Sequence, residues 1–356
     1  MQLARILAVS LIIVSSAACA GGETPPGAPA RRQVVFRTQT MGTWASLTLV
    51  TADSAAVADL ALRSLLVLHR VDSLMSNWTK SSDIARINRE ARHGKTGVHP
   101  QVAPVIAKAL EVSRESGGAF DITVEPLVRL WGFLGGTPHV PAQKDIDAAL
   151  ARVGSDKVEF DEGARTIRFT RDDVSIDLGG IAKGYGADQV AAVLRAAGTS
   201  DALVDLSGNM VAIGNAAAHP GWNVGIRDPS GTHPMLGRIA LADDAVATSG
   251  DYEQFVDASG KRYGHILDPR SGWSARGLTS VTVVAADAMT ADAWATALFV
   301  RGPEGARESA RARSDILAVL VEPHADGTTT IWVEEDLRSR FHREESLPAA
   351  FIVRFF

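Results

Sequence analysis

From residue 34 to residue 333, apolar residues recur with a period of two in some stretches and near 3.6 in others. The stretches do not follow the regular strand, helix, strand alternation of a doubly wound parallel sheet, so the pattern predicts an α+β fold. Partial alternation over 34–50 predicts two extended pieces flanking Met41-Gly42-Thr43, with the glycine at the turn. Val57, Leu60, Leu65, Leu68, Val71 and Met75 mark one apolar face of a long helix that Asp53 or Ser54 can cap. A second helix follows Pro104 and closes at Gly117-Gly118. Residues 158–160 and 166–169 predict a hairpin, and 174–178 a further strand that leads through glycines into a helix reaching about 197. Strands are expected at 203–206, 211–213, 223–226, 238–242 and 279–284. Two helices at about 288–300 and 303–313 then precede strands at 316–321 and 329–333. No long linker divides 34–356, which predicts one catalytic domain of mixed sheets and helices.

The first 20 residues read as an export signal, with Arg5 as the positive head and an apolar stretch over 6–14 too short to span a bilayer. Cys19, the only cysteine, sits where a bacterial lipoprotein is cleaved and acylated. Ser16 stands where leucine is usual in that cleavage pattern, and Ser16-Ala17-Ala18 or Ala18-Cys19-Ala20 suits ordinary signal peptidase, so both routes stay open. The expectation is an exported protein on the periplasmic side of a bacterial membrane, lipid-anchored through Cys19. Residues 21–33, rich in Gly, Pro and Ala, read as a flexible tether. A net charge of -5 and a pI near 6.0 give no basic field for a phosphate backbone, which excludes nucleic acid as an expected partner.

Three segments carry chemistry. Asp177-Leu178-Gly179-Gly180-Ile181-Ala182-Lys183-Gly184-Tyr185 runs through glycines into a helix, where backbone groups can approach a phosphate and the helix start favours negative charge. A plain strand-to-helix turn explains it as well, since it matches neither the nucleotide P-loop nor the dinucleotide glycine pattern. In the run from Asp287 to Ala297, Asp292 and Thr296 stand four apart on one helical face and offer hard oxygens that suit Mg²⁺. An acidic cap and a back-bonded threonine account for the same pair. Tyr263-Gly264-His265-Ile266-Leu267-Asp268-Pro269-Arg270-Ser271-Gly272 places an imidazole, a carboxylate and a guanidinium within short reach, or is a solvated hairpin.

Together these segments resemble the ApbE family of FAD:protein FMN transferases over nearly the whole chain after the tether. Met41-Gly42-Thr43, Met75-Ser76-Asn77-Trp78, Ser82-Asp83-Ile84-Ala85-Arg86-Ile87-Asn88, Gly118-Ala119-Phe120-Asp121-Ile122-Thr123 and Asp205-Leu206-Ser207-Gly208-Asn209 add to the match. The resemblance implies an FAD site lined by Met41, Trp78, Ala119, Phe120, Asp121, Asp177 and Lys183, with His265 and Ile266 nearby. It implies Mg²⁺ held by the Gly180 carbonyl, Asp292 and Thr296. The family often has tyrosine at the Trp78 position and alanine or serine at Gly180; an indole still stacks on a flavin or adenine ring, and a carbonyl ligand needs no particular side chain.

The activity so implied is transfer of FMN from FAD to a threonine hydroxyl of an acceptor protein, within a short Ser/Thr-Gly-Ala-Thr-like motif, with release of AMP. His265 is the first candidate for general base and Asp268 the second. Two other readings fit the motifs: an FAD pyrophosphatase giving FMN and AMP, and a non-catalytic flavin-binding lipoprotein.

Overall fold

The computed structural model describes residues 10–12, 30–217 and 219–356. Cys19 and most of the expected signal and tether lie outside the described residues. Ten strands form one sheet, and they neighbour one another in the order in which the chain makes them. They are Ser10–Ile12, Arg32–Thr40, Thr43–Thr51, Ala202–Leu206, Asn209–Ile213, Ala245–Gly250, Ser280–Ala285, Ile316–Pro323, Thr329–Val333 and Phe351–Phe355. Adjacent strands are antiparallel except the last pair, Thr329–Val333 with Phe351–Phe355. Seven helices, α1 (Ala58–Met75), α2 (Asp83–Glu90), α3 (Ala103–Glu115), α4 (Glu125–Leu130), α5 (Gln143–Leu150), α6 (Ala182–Ala196) and α7 (Ala288–Arg311), complete an α+β architecture among the described residues.

Alternation along the central strands sorts their side chains into two cores. Ile316, Ala318 and Leu320 face the helices, with Val281, Val283 and the apolar stripe of α7. Val319 and Val321 face the other way, with Val246 and Val284, onto a small sheet made of Trp222–Arg227, Met235–Leu241 and Phe341–Arg343. Both faces of the middle of the sheet are thus covered, which is why Ser280–Ala285 is buried at every position. Towards the first strands, α1 and α6 cover one face through Leu65, Leu68, Val190 and Leu194.

Several expected boundaries move for identifiable reasons. Neither Asp53 nor Ser54 caps α1, whose N-cap is Val57 with no side-chain bond. Asp53 Oδ1 instead accepts from the N–H groups of Ala55 and Ala56, ordering the turn before the helix. The expected helices at about 288–300 and 303–313 are the two halves of α7, broken at Gly302 ahead of Pro303. Residues 174–178 do not join a sheet. Their backbone is satisfied by side chains: Asn88 Oδ1 accepts from Ile176 N–H at 2.8 Å, and the amides of Asn77 and Asn88 donate to Ile176 C=O at 3.0 and 2.9 Å. Asp177 N–H then donates to Ile122 C=O at 2.7 Å. An extended segment held by amide side chains has the side-chain pattern of a strand without being one.

Candidate active site

α6 and α7 pack side by side on one face of the sheet, and their approach builds the centre of the site. A Cβ on Gly184 would lie 2.1 Å from the Ala288 carbonyl oxygen and 2.8 Å from Asp292 Cβ, so only glycine permits this helix contact. Across it Gly184 N–H donates to Asp292 Oδ2 at 2.9 Å, which leaves the second carboxylate oxygen for a ligand. Four residues earlier, in the turn that leads into α6, Gly180 packs on Thr296, one turn later on α7: a Cβ at 180 would lie 3.4 Å from Thr296 Oγ1 and 3.2 Å from the Phe120 ring. Ser249, on the strand Ala245–Gly250, shares a hydrogen bond with Thr296 at 3.2 Å. Replacing Gly184 by Ala is expected to push the helices apart and cost about 1–3 kcal/mol of stability. A denaturant midpoint equal to the parent's would contradict the close contact.

The residues singled out by sequence for a metal are therefore neighbours. No group of three or more His, Cys, Asp or Glu that could hold a metal occurs among the described residues. A carbonyl, one carboxylate oxygen and a hydroxyl form a hard, low-charge oxygen set, which fits Mg²⁺ when phosphate and water complete the shell. Burial pushes the Asp292 carboxyl above the usual range, while the Lys183 cation and the Gly184 N–H oppose that rise. Lys183 Nζ lies 3.4 Å from Gly179 C=O.

Lys183 also faces His265. Burial first, and this cation second, push the His265 imidazole down to about 4, so the ring is neutral at neutral pH. Its Nδ1 is buried and has no hydrogen-bond partner. The backbone around it is rigid: His265 N–H donates to Gln254 C=O at 2.9 Å and Ser274 Oγ to Gly264 C=O at 2.9 Å. Ile266 is buried beside it. Asp268, the alternative base, holds Arg270 through two bonds of 2.8 and 3.0 Å and accepts from the Arg270 N–H. Its carboxylate is thereby committed to its own turn.

The remaining candidates surround this centre unevenly. Ala119 and Phe120 are buried, and the ring of Phe120 touches Gly180. Asp121 turns its carboxylate inward, Oδ1 accepting from Thr123 N–H and Oγ1 at 2.8 and 2.6 Å and Oδ2 from Ser155 N–H at 2.8 Å. Asp177 Oδ1 accepts from Gly179 N–H at 2.7 Å, and burial raises its carboxyl. Met41 sits at positive φ in the hairpin turn, tied by its N–H to Asp72 Oδ2, with its sulfur near Gly186 on α6. Trp78 is 68% exposed, a large apolar ring open to solvent beside the Asn77 clamp. Ser207 and Gly208 of the expected Asp205 to Asn209 motif form a hairpin turn at positive φ, with Gly208 N–H on Asp205 Oδ1.

Sequence spacing missed Ser249 and Asp188. Ser249 lies in Ala-Val-Ala-Thr-Ser-Gly, too small and polar to stand out as a strand. Asp188 falls two turns into α6, where a lone acid reads as a solvated face.

The ApbE family model matches residues 41–321 of the chain. An FAD:protein FMN transferase from Klebsiella pneumoniae strain 342 is 31% identical over 89% of this chain and 91% of its own. One from Escherichia coli K12 is 30% identical over 94% of this chain and 95% of its own. Among solved structures, the flavin transferase ApbE from Vibrio cholerae superposes with a TM-score of 0.79 at 30% identity, covering 87% of this chain and 99% of that one. The ApbE protein of Thermotoga maritima superposes with a TM-score of 0.78 at 32% identity, covering 88% and 100%.

Proposed function

The chain belongs to the ApbE family, and on that premise we propose that it is an FAD:protein FMN transferase that esterifies a threonine hydroxyl of an acceptor protein and releases AMP. The observation that carries the reading is that Gly180 and Lys183, at the approach to and start of α6, lie by Asp292 and Thr296 in the first three turns of α7, with the Lys183 cation acting on His265. The Gly180 carbonyl, Asp292 and Thr296 would hold Mg²⁺, which would supply charge neutralisation at the FAD pyrophosphate.

The protein's own part is positioning and proton management. Gly179 and Gly180 let the backbone approach the pyrophosphate, and Lys183 adds a cation beside it. Trp78 and the partly buried Met41 offer apolar surface to the flavin and adenine rings, and Ala119, Phe120 and Ile266 belong to the core against which Met41 packs. Asp121 and Asp177 hold the two loops on which Phe120 and Gly180 sit. The acceptor oxygen bonds to the FMN-side phosphorus, the bond to the AMP phosphate oxygen breaks, and the hydroxyl proton passes to neutral His265. His265 is preferred to Asp268 because Arg270 already occupies the Asp268 carboxylate.

The test is incubation with FAD, Mg²⁺ and a domain bearing a Ser/Thr-Gly-Ala-Thr-like motif, read by mass spectrometry. Added FMN on the threonine supports transfer. Free FMN and AMP without modified acceptor would support the pyrophosphatase reading, and unchanged FAD the non-catalytic one.

The same proposal places the protein outside the cytoplasmic membrane, anchored through Cys19. Cys19→Ala is expected to move it from the membrane to the soluble fraction with the activity of the domain unchanged; equal membrane association of the two forms would rule the anchor out.

A further inference from the structure

From the turn before α6 into that helix, and back along α7, the contacts recur every four residues and run in opposite directions. Gly180 meets Thr296, Gly184 meets Asp292, and Asp188 meets Ala288. At this third contact, one helical turn beyond the Gly184–Asp292 pair, Asp188 Oδ1 accepts from Ala288 N–H at 2.8 Å and Oδ2 from Met289 N–H at 2.9 Å. These are the first two N–H groups of α7, which have no partner within their own helix. Asp287 supplies the ordinary cap, accepting from Thr290 N–H at 2.7 Å, so Asp188 is not needed to start the helix. Its two bonds instead come from another helix and fix α7 in translation and rotation on α6.

We infer that Asp188 is a positioning residue that sets the register of α7 on α6 and so holds Asp292 and Thr296 opposite Gly184 and Gly180. A one-residue slip would advance α7 by about 1.5 Å and turn it by about 100°, which takes both oxygens out of the site. The carboxylate suits the task because it accepts two bonds at once from diverging donors. Burial pushes its carboxyl up to about 7, opposed by those two N–H donors, so the group stays in this place through its bonds to α7 at the expense of hydration. The consequence for metal binding rests on the metal role proposed above; the register itself does not.

The experiment compares the parent with Asp188→Asn, whose amide keeps the shape but turns one acceptor into a donor facing an N–H. Ala288→Pro removes the Oδ1 bond from the other side and suits the first helical position, where proline is tolerated. Hydrogen exchange at the Gly184 amide reports the register, and Mn²⁺ titration followed by electron paramagnetic resonance reports the site without FAD or acceptor. Faster Gly184 exchange in either variant, with the Mn²⁺ dissociation constant raised by about tenfold or more and turnover recovered at high Mg²⁺, is the expected result. Unchanged Gly184 exchange in both variants overturns the inference. If the parent itself binds no Mn²⁺, the metal reading fails and the exchange data alone decide the register.

Discussion

Asp292→Asn is expected to cut AMP release from FAD on the order of a hundredfold to a thousandfold while leaving the protein folded. The side chain is 5% exposed and is the one carboxylate in the set of three oxygens. Asparagine can present its carbonyl oxygen to the Gly184 N–H, so the contact between the helices survives. What is lost is a full negative charge at a site whose other proposed ligands, a carbonyl and a hydroxyl, are neutral. Removing one preorganised electrostatic partner of a transferring phosphoryl group commonly costs a factor of this size. Treating the parent with a chelator should give the same loss, restored by Mg²⁺. AMP release measured by chromatography checks both, and turnover near the parent's in Asp292→Asn would remove the metal assignment.

His265→Ala should lower transfer on the order of a hundredfold to ten-thousandfold, with FAD affinity kept within a small factor. Binding is spread over backbone, aromatic and charged contacts, whereas proton removal from the acceptor hydroxyl is needed only on the way to the transition state. Because the imidazole is pushed down to about 4, the parent's kcat/KM should hold through neutral pH and fall only as pH approaches that value. This acid limb should be missing from His265→Ala. Stability follows the same sign: the ordinary imidazole value is 6.5, so the unfolded chain takes up the proton first, and the contribution from burying a neutral ring is lost as pH falls from there toward about 4. A variant with weaker FAD binding and normal turnover at saturating FAD would make His265 a binding residue.

Much of the frame was legible because periodicity survives local noise. The Met41-Gly42 hairpin, the apolar face of α1, the glycine stop of α3 and the break between the halves of α7 each follow from a local rule that the structure obeys. What escaped depends on distant partners. Residues 174–178 have the composition of a strand, and distant partners, above all Asn77 and Asn88, 99 and 88 positions before Ile176, decide otherwise. Ala245–Gly250 is a central strand because strands lie on both sides of it, which its small residues do not announce. In the site, motif spacing named Gly180, Asp292 and Thr296, which are neighbours, yet it gave no sign that the Asp268 carboxylate would be spent on Arg270 or that of Asp121 on Thr123 and Ser155.

The strand Arg32–Thr40 runs from the Arg31–Asp201 ion pair to the Met41 turn beside α6. Nine residues of strand span about 30 Å. This strand acts as a spacer between the Arg31–Asp201 ion pair and the Met41 turn. A label attached at Arg31 is therefore held about 30 Å from the Met41 turn.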